Sequence, residues 1–322
     1  MTYKKLFFSL LAILILGSVA YGQISLVASS GNIQTRTLWW VDKNGNETKI
    51  KAPSNAYYFP KISSDGKKVV LTAMLKGVRN IHILDLDKGT AKAVTSDLVK
   101  HQNQPIWSPD GKHIAYASAD TKTLNAFGGK SEIFYKAEAG NGEPVNLVTS
   151  PGEWNFPYTW KKDGTAILTA EGGPNFNNFD IGMILLDGSS SKYVPLMNKE
   201  YHENQPQLSP DNKWLAYCTD ESGKMQVYVS PFPEVDKGKW KISTEEGNSP
   251  RWSPDGNELY YLTGTRIIEA VMVVKVETTP AFSSGKPEVL FRGGLYLGSM
   301  PANGIPYDVH PDGQRLLMMK EF

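Results

Sequence analysis

The sequence predicts an all-β protein: a six-bladed β-propeller with four-stranded blades, its closing blade shared between the two ends of the chain. Three observations carry this prediction. A Pro-x-Trp-Ser-Pro-Asp-Gly motif stands in full at 105–111 and 250–256, with weaker copies around Asp65-Gly66, Asp163-Gly164, Asp211-Asn212 and Asp312-Gly313. Its aspartates fall 44 to 57 residues apart, which suits a propeller blade and is too long for a helical repeat. Outside the N-terminus, no stretch of the sequence has sustained helical periodicity.

Each element follows from local physics. Proline presets φ at the first corner of a type I turn, aspartate can bond the backbone beyond it, and glycine takes the left-handed conformation that reverses the chain. In the fourth copy Asn212 stands in the glycine position, and asparagine is the side chain that best tolerates that conformation. An apolar strand follows each turn, at 69–71, 114–116, 166–168, 215–217, 259–261 and 316–318. The turn therefore joins two neighbouring antiparallel strands. A third strand comes next, as at 81–85, 133–135 and 227–229, and a short fourth, as at 143–148.

The ends of the chain complete the ring. Residues 38–42 and 47–50 read as third and fourth strands with no first and second before them, while 307–309 and 316–319 read as first and second strands. One blade is then built from both ends, which leaves no open sheet edge. Residues 24–28 are left unassigned, an extra strand on that blade being one reading. A monomer is expected.

Lys4 and Lys5 precede an apolar run from 6 to 16, and Ala20-Tyr21-Gly22 offers small residues where a signal peptidase reads. Residues 1–22 are therefore expected to be a cleaved secretory signal peptide, and 23–322 a single propeller domain, periplasmic or secreted. No cysteine follows the apolar run, so neither a lipid anchor nor a stable membrane anchor is expected. Without Lys4 and Lys5 the chain has 32 basic against 33 acidic residues, a balance that gives no reason to expect nucleic acid. Cys218, the only cysteine, allows no internal disulfide and aligns with Ala117 on a strand expected to be buried.

The stretch from Ser108 to Tyr116, Ser-Pro-Asp-Gly followed by Lys-His-Ile-Ala-Tyr, resembles the TolB-like propeller repeat, a relative of WD-type repeats. The stretches at 285–291 and 307–313 are similar to propellers fused to some bacterial membrane kinases. The resemblance implies a scaffold that hosts periplasmic adaptors, peptidase gates and some lyases, so function has to be sought in sites.

One face of such a ring carries the tight repeated turns. The other collects the irregular segments at 119–131, 171–179, 198–204 and 293–305, where binding residues are expected. These and neighbouring segments bring Trp154, Phe156, Phe176, Phe179, Tyr201 and Tyr296 together with several asparagines, a mixture suited to a sugar or an extended peptide. The plain alternative is that the rings pack the loops onto the blades. His101-Gln102-Asn103-Gln104-Pro105 and His202-Glu203-Asn204-Gln205-Pro206 lead into blades 2 and 4 with one pattern. His101, Asn103, Gln104, His202, Asn204 and Gln205 are thus candidate ligand-binding residues at a polar channel mouth.

The sequence lacks a Gly-x-Ser-x-Gly elbow, a phosphate loop, a zinc motif and a dinucleotide fingerprint, so no catalytic residue, metal or cofactor is assigned. The leading expectation is an exported, non-catalytic adaptor recognising a protein segment or glycan. The alternative is a metal-assisted, lyase-like carbohydrate-active enzyme working through His101 and His202, since the resemblance includes lyases that hold a divalent metal there.

Overall fold

The computed structural model describes residues 35–120, 130–147, 152–173, 178–188, 190–265, 267–293, 296–298 and 304–321. The expected signal peptide and residues 24–28 lie outside them. The strands form six antiparallel sheets. Blade 1 is β3 (Tyr58–Ile62), β4 (Lys68–Leu75), β5 (Val78–Asp85) and β6 (Thr90–Ala93). Blade 2 is β7 (Lys100–Trp107), β8 (His113–Asp120), β9 (Ser131–Ala137) and β10 (Val145–Asn146). Blade 3 is β11 (Trp154–Trp160), β12 (Ala166–Gly172), β13 (Asp180–Asp187) and β14 (Ser190–Met197). Blade 4 is β15 (Glu203–Leu208), β16 (Trp214–Thr219), β17 (Gln226–Pro231) and β18 (Trp240–Lys241).

Blade 5 contains β19 (Asn248–Trp252), β20 (Glu258–Thr263) and β21 (Ala270–Glu277), and its fourth position is split. There β22 (Ser283–Ser284) pairs with one end of β21 and β23 (Glu288–Arg292) with the other. Blade 6 closes the ring as the sequence predicts, in the order β2 (Glu47–Lys49), β1 (Arg36–Asp42), β25 (Arg315–Glu321), β24 (Asp308–Val309). The β1–β25 ladder runs from Arg36 opposite Glu321 to Asp42 opposite Arg315.

The core lies between blades: five clusters each join one pair of neighbours, and a sixth draws on blades 2, 3, 5 and 6. Val69 and Leu71 pack toward blade 6 with Leu38 and Leu317, while Val70 between them packs toward blade 2 with Ile114 and Tyr116. In blade 4, Leu215 and Tyr217 join Leu168 of blade 3, and Ala216 and Cys218 join Leu259 of blade 5. A strand buried on both faces has to be apolar at every position, and that is why the second strands read as continuous apolar runs.

The repeated turn is tied by a side-chain pair. In the first copy Ser63 Oγ donates to Asp65 Oδ1 at 2.6 Å and accepts the Lys68 N–H at 3.0 Å, while Asp65 accepts the Lys67 N–H at 3.0 Å. Ser108 with Asp110, Ser209 with Asp211 and Ser253 with Asp255 repeat the arrangement. The motif tryptophans join blades: Trp107 Nε1 donates to Lys61 O at 2.9 Å and Trp252 Nε1 to Gln207 O at 3.1 Å. Asp42 caps the β1–β2 hairpin by accepting the N–H groups of Asn44 and Asn46.

Candidate binding site at the channel mouth

The innermost strands β3, β7, β11, β15, β19 and β24 each touch the next, and the last touches the first, so they line a central channel. Each inner segment carries a proline, at positions 60, 105, 157, 206, 250 and 306. Phe59, Gln104, Gln205 and Ser249, each directly before its proline, have left-handed φ of 51, 49, 56 and 58°. The pairing register shifts at the same points, and blade 3 shifts between Pro157 and Thr159. Proline cannot donate to the ladder, and a bulge re-aims the side chain that follows. The residues after the prolines are Lys61, Ile106, Tyr158, Gln207, Arg251 and Tyr307, one per blade at an equivalent position.

Lys61, Ile106, Tyr158 and Arg251, with Gln104 and Ile305, line a small half-open recess in the channel with room for about one water molecule. Its charged members are linked through Asp308. Asp308 Oδ1 lies 3.1 Å from Lys61 Nζ and 3.3 Å from Arg251 Nε, and Oδ2 accepts the Ile62 N–H at 2.8 Å. Arg251 Nη1 also donates to Gln207 Oε1. Two cations thus face one carboxylate. Burial and then the Arg251 charge pull the Lys61 pKa down to about 8, with Asp308 acting against both.

The residues expected to bind ligand stand at this mouth, most of them engaged between blades. His101 Nδ1 accepts the Arg79 N–H at 3.0 Å and His202 Nδ1 accepts the Phe179 N–H at 3.2 Å, so each imidazole ties a blade to the third strand of the one before. Burial, and then the Arg79 charge, lower the His101 pKa to about 4 and leave it neutral. Asn103 Oδ1 accepts from Arg79 Nη1 at 3.5 Å, and Gln104 packs against Gly304, whose φ of +73° leaves the space a Cβ would fill. Asn204 Oδ1 accepts the Gln205 N–H at 2.7 Å, and Gln205 Oε1 accepts the Ser249 N–H at 2.7 Å and the Cys218 thiol at 3.3 Å.

Trp154 and Phe156 are buried and stacked, with ring centroids 6.3 Å apart. Phe156, Phe179 and His202 continue the ladder at 6.4 and 6.2 Å. Tyr296 is likewise buried, with its hydroxyl on Glu47. These rings pack segments onto the blades. Tyr201 stays half-buried, with Lys239 Nζ 5.8 Å above its ring. Phe176 lies outside the described residues. His101 and His202 are not brought together: among the described residues no group of three His, Cys, Asp or Glu side chains is placed to hold a metal ion. The 101–104 segment, which leads into blade 2, is itself part of β7 because the strand starts before the bulge.

Buried polar atoms lacking a hydrogen-bond partner among the described residues gather at this end. They include Gln102 Oε1, Glu153 Oε2, Asp180 Oδ1 and Glu203 Oε2 near strand ends at the mouth, while the Tyr158 hydroxyl in the channel meets the Gln104 side chain. Burial and then the Asp180 charge raise the pKa of both Glu171 and Glu203 to about 7. Sequence reasoning missed Lys61, Arg251, Asp308 and Tyr158. The signal for Lys61, Tyr158 and Arg251 was the residue after each inner-strand proline, with Asp308 one place further on, and a motif search centred on the Asp-Gly turn passes over both.

No protein-family model matches the chain. It is 23% identical over 270 residues to the Tol-Pal system protein TolB of Francisella tularensis subsp. holarctica, a match covering 81% of this chain and 58% of that protein. The chain thus spans little more than half the length of this curated relative. A structure assigned as TolB from Agrobacterium tumefaciens superimposes with a TM-score of 0.67 at 20% identity, over 90% of this chain and 99% of that one. An oligogalacturonate lyase in complex with manganese superimposes with a TM-score of 0.52 at 13% identity, over 90% of this chain and 97% of that one. The repeat, the ring of six blades and these likenesses agree on one fold: the chain is a TolB-like six-bladed β-propeller.

Proposed function

We propose that the protein is an exported binding and adaptor propeller that recognises a segment of a partner protein at the channel mouth. The observation that carries the reading is the asymmetry between the two ends of the ring. The Ser-Asp turns satisfy their own polar groups at one end. At the other end Gln102, Glu153, Asp180 and Glu203 leave polar atoms without partners among the described residues, so the mouth is not a self-satisfied surface. The relative named for the Tol-Pal protein system supports a protein partner over a glycan. The signal-like N-terminus supports export. The mouth residues proposed to meet the partner are Tyr201, His202, His101 and Asn103, with Gln104 and Gln205 beneath them.

A photo-crosslinking residue at position 201, compared with one at position 112 on the turn face, tests this in native extract. A discrete cross-linked protein is expected from 201 alone. The same product from both positions, or from 112 only, would refute the assignment of the face.

A further inference from the structure

Given recognition of a protein segment at the mouth, on which this rests, we propose that the segment is acidic and apolar and docks on the rim of blades 1 and 2. Arg79 takes its carboxylate, and Leu98 and Val99 take its apolar side chain. Leu98 and Val99 are 51% and 59% exposed, the two most exposed large apolar side chains among the described residues, and they are neighbours in the chain. They stand on the connection from β6 to β7, at the mouth end of the ring.

Internal bonds hold that connection in place. Asn80 of β5, fully buried, donates from Nδ2 to Asp97 O at 2.8 Å, and its Oδ1 accepts the Asp97 N–H and the Thr95 hydroxyl, each at 2.9 Å. Asp97 Oδ1 accepts the N–H groups of Val99 and Lys100 at 2.7 and 2.9 Å, so this carboxylate is occupied by its own loop. The backbone is thus fixed while two apolar side chains are left in solvent. A preorganised loop of this kind loses little entropy when a partner covers it.

Arg79 adjoins the loop, with its N–H on His101 Nδ1 at 3.0 Å. Its guanidinium reaches neutral groups, Asn103 Oδ1 at 3.5 Å and the Tyr58 side chain. Arg36, Arg251 and Arg315 each meet a carboxylate at 3.3 or 3.4 Å, whereas Arg79 has no such partner among the described residues. Arg36 Cζ and Arg79 Cζ lie 3.9 and 4.9 Å from the centroid of the same Tyr58 ring, so two guanidiniums share one phenol. Lys76, exposed in the β4–β5 turn, adds a positive charge. Burial lowers the Arg79 pKa, Tyr58 acts against that, and the Arg36 charge adds to it; an arriving carboxylate would offset both losses. A half-buried guanidinium suits that acceptor, because it offers parallel N–H groups to two oxygens.

Selection of a random displayed peptide library on the full chain tests this. Enriched peptides are expected to carry Asp or Glu close to Leu, Ile, Val or Phe. R79Q keeps a donor for Asn103 and should weaken their binding about tenfold. The L98S/V99S double variant, altered only in exposed side chains, should weaken it about fivefold at an unchanged melting temperature. Enriched peptides without an acidic residue, or acidic ones that bind R79Q and L98S/V99S as they bind the wild type, would overturn the inference. If such peptides still lose binding in Y201A, the mouth reading survives that result. A selection that enriches no peptide would overturn both.

Discussion

Glu171 and Glu203 are buried carboxylates whose pKa is raised to about 7, first by burial and then by the Asp180 charge. In a carboxyl group of this kind the native state holds the proton more tightly than the unfolded chain does. Its contribution to stability is therefore full below the ordinary value of 4.5 and is lost as pH rises through about 7. Glu203→Gln cannot ionise, so it should raise stability at pH 8 by about 1–3 kcal/mol and change it little at pH 4.5. Denaturant unfolding at both pH values checks this, and an equal effect at the two would contradict it. The motif aspartates act in the opposite sense. Asp65, Asp110 and Asp255 are held below their usual value, first by the serine hydroxyl that donates to each. Their contribution is present above the ordinary value of 3.8 and is lost as pH falls through the lowered one.

At the scale of the element, the turns differ in what surrounds their glycines. Gly66 has φ +72°, and a Cβ there would lie 2.8 Å from His310 Nε2, whereas Gly111 has φ +68° with nothing within 4 Å. Gly111→Ala should cost only the conformational term of about 1 kcal/mol, and Gly66→Ala about 2 kcal/mol or more, because His310 must also move. Matched thermal melts decide it, and equal losses would show that the His310 contact is soft. Trp107→Phe keeps most of the packing and removes the N–H donated to Lys61 O, for an expected loss of about 1 kcal/mol.

The turns were legible because proline, aspartate and glycine are local signals, and the second strands because burial on both faces forces continuous apolar sequence. The split of blade 6 was legible from strand type alone. The inner strands were read less well. His101 and His202 carry a repeated pattern, but whether an imidazole faces a ligand or a neighbouring N–H is set by the adjoining blade, as Arg79 and Phe179 show. The Lys61, Arg251 and Asp308 cluster brings together residues from three blades that no local window contains.

At the scale of the whole molecule, ring closure and mouth binding make separate claims. Deleting residues 307–322 removes β24 and β25, opens the ring and exposes the β1 edge, so cooperative unfolding should be lost. A truncated chain with an unchanged melting transition would contradict the closure. Trp154→Ala should lower the melting temperature, because that ring is buried in the core and its removal costs about 3–5 kcal/mol. Binding is tested most directly by measuring the affinity of a cross-linked and identified partner for Tyr201→Ala and His202→Ala at the mouth and Lys112→Ala on the turn face, each with its melting temperature. The account predicts weaker binding by about 2 kcal/mol for Tyr201→Ala at near-constant stability, weaker binding together with a lower melting temperature for His202→Ala because its ring also accepts the Phe179 N–H, and no change for Lys112→Ala. Equal losses at the two faces, or a loss only at the turn face, would contradict it.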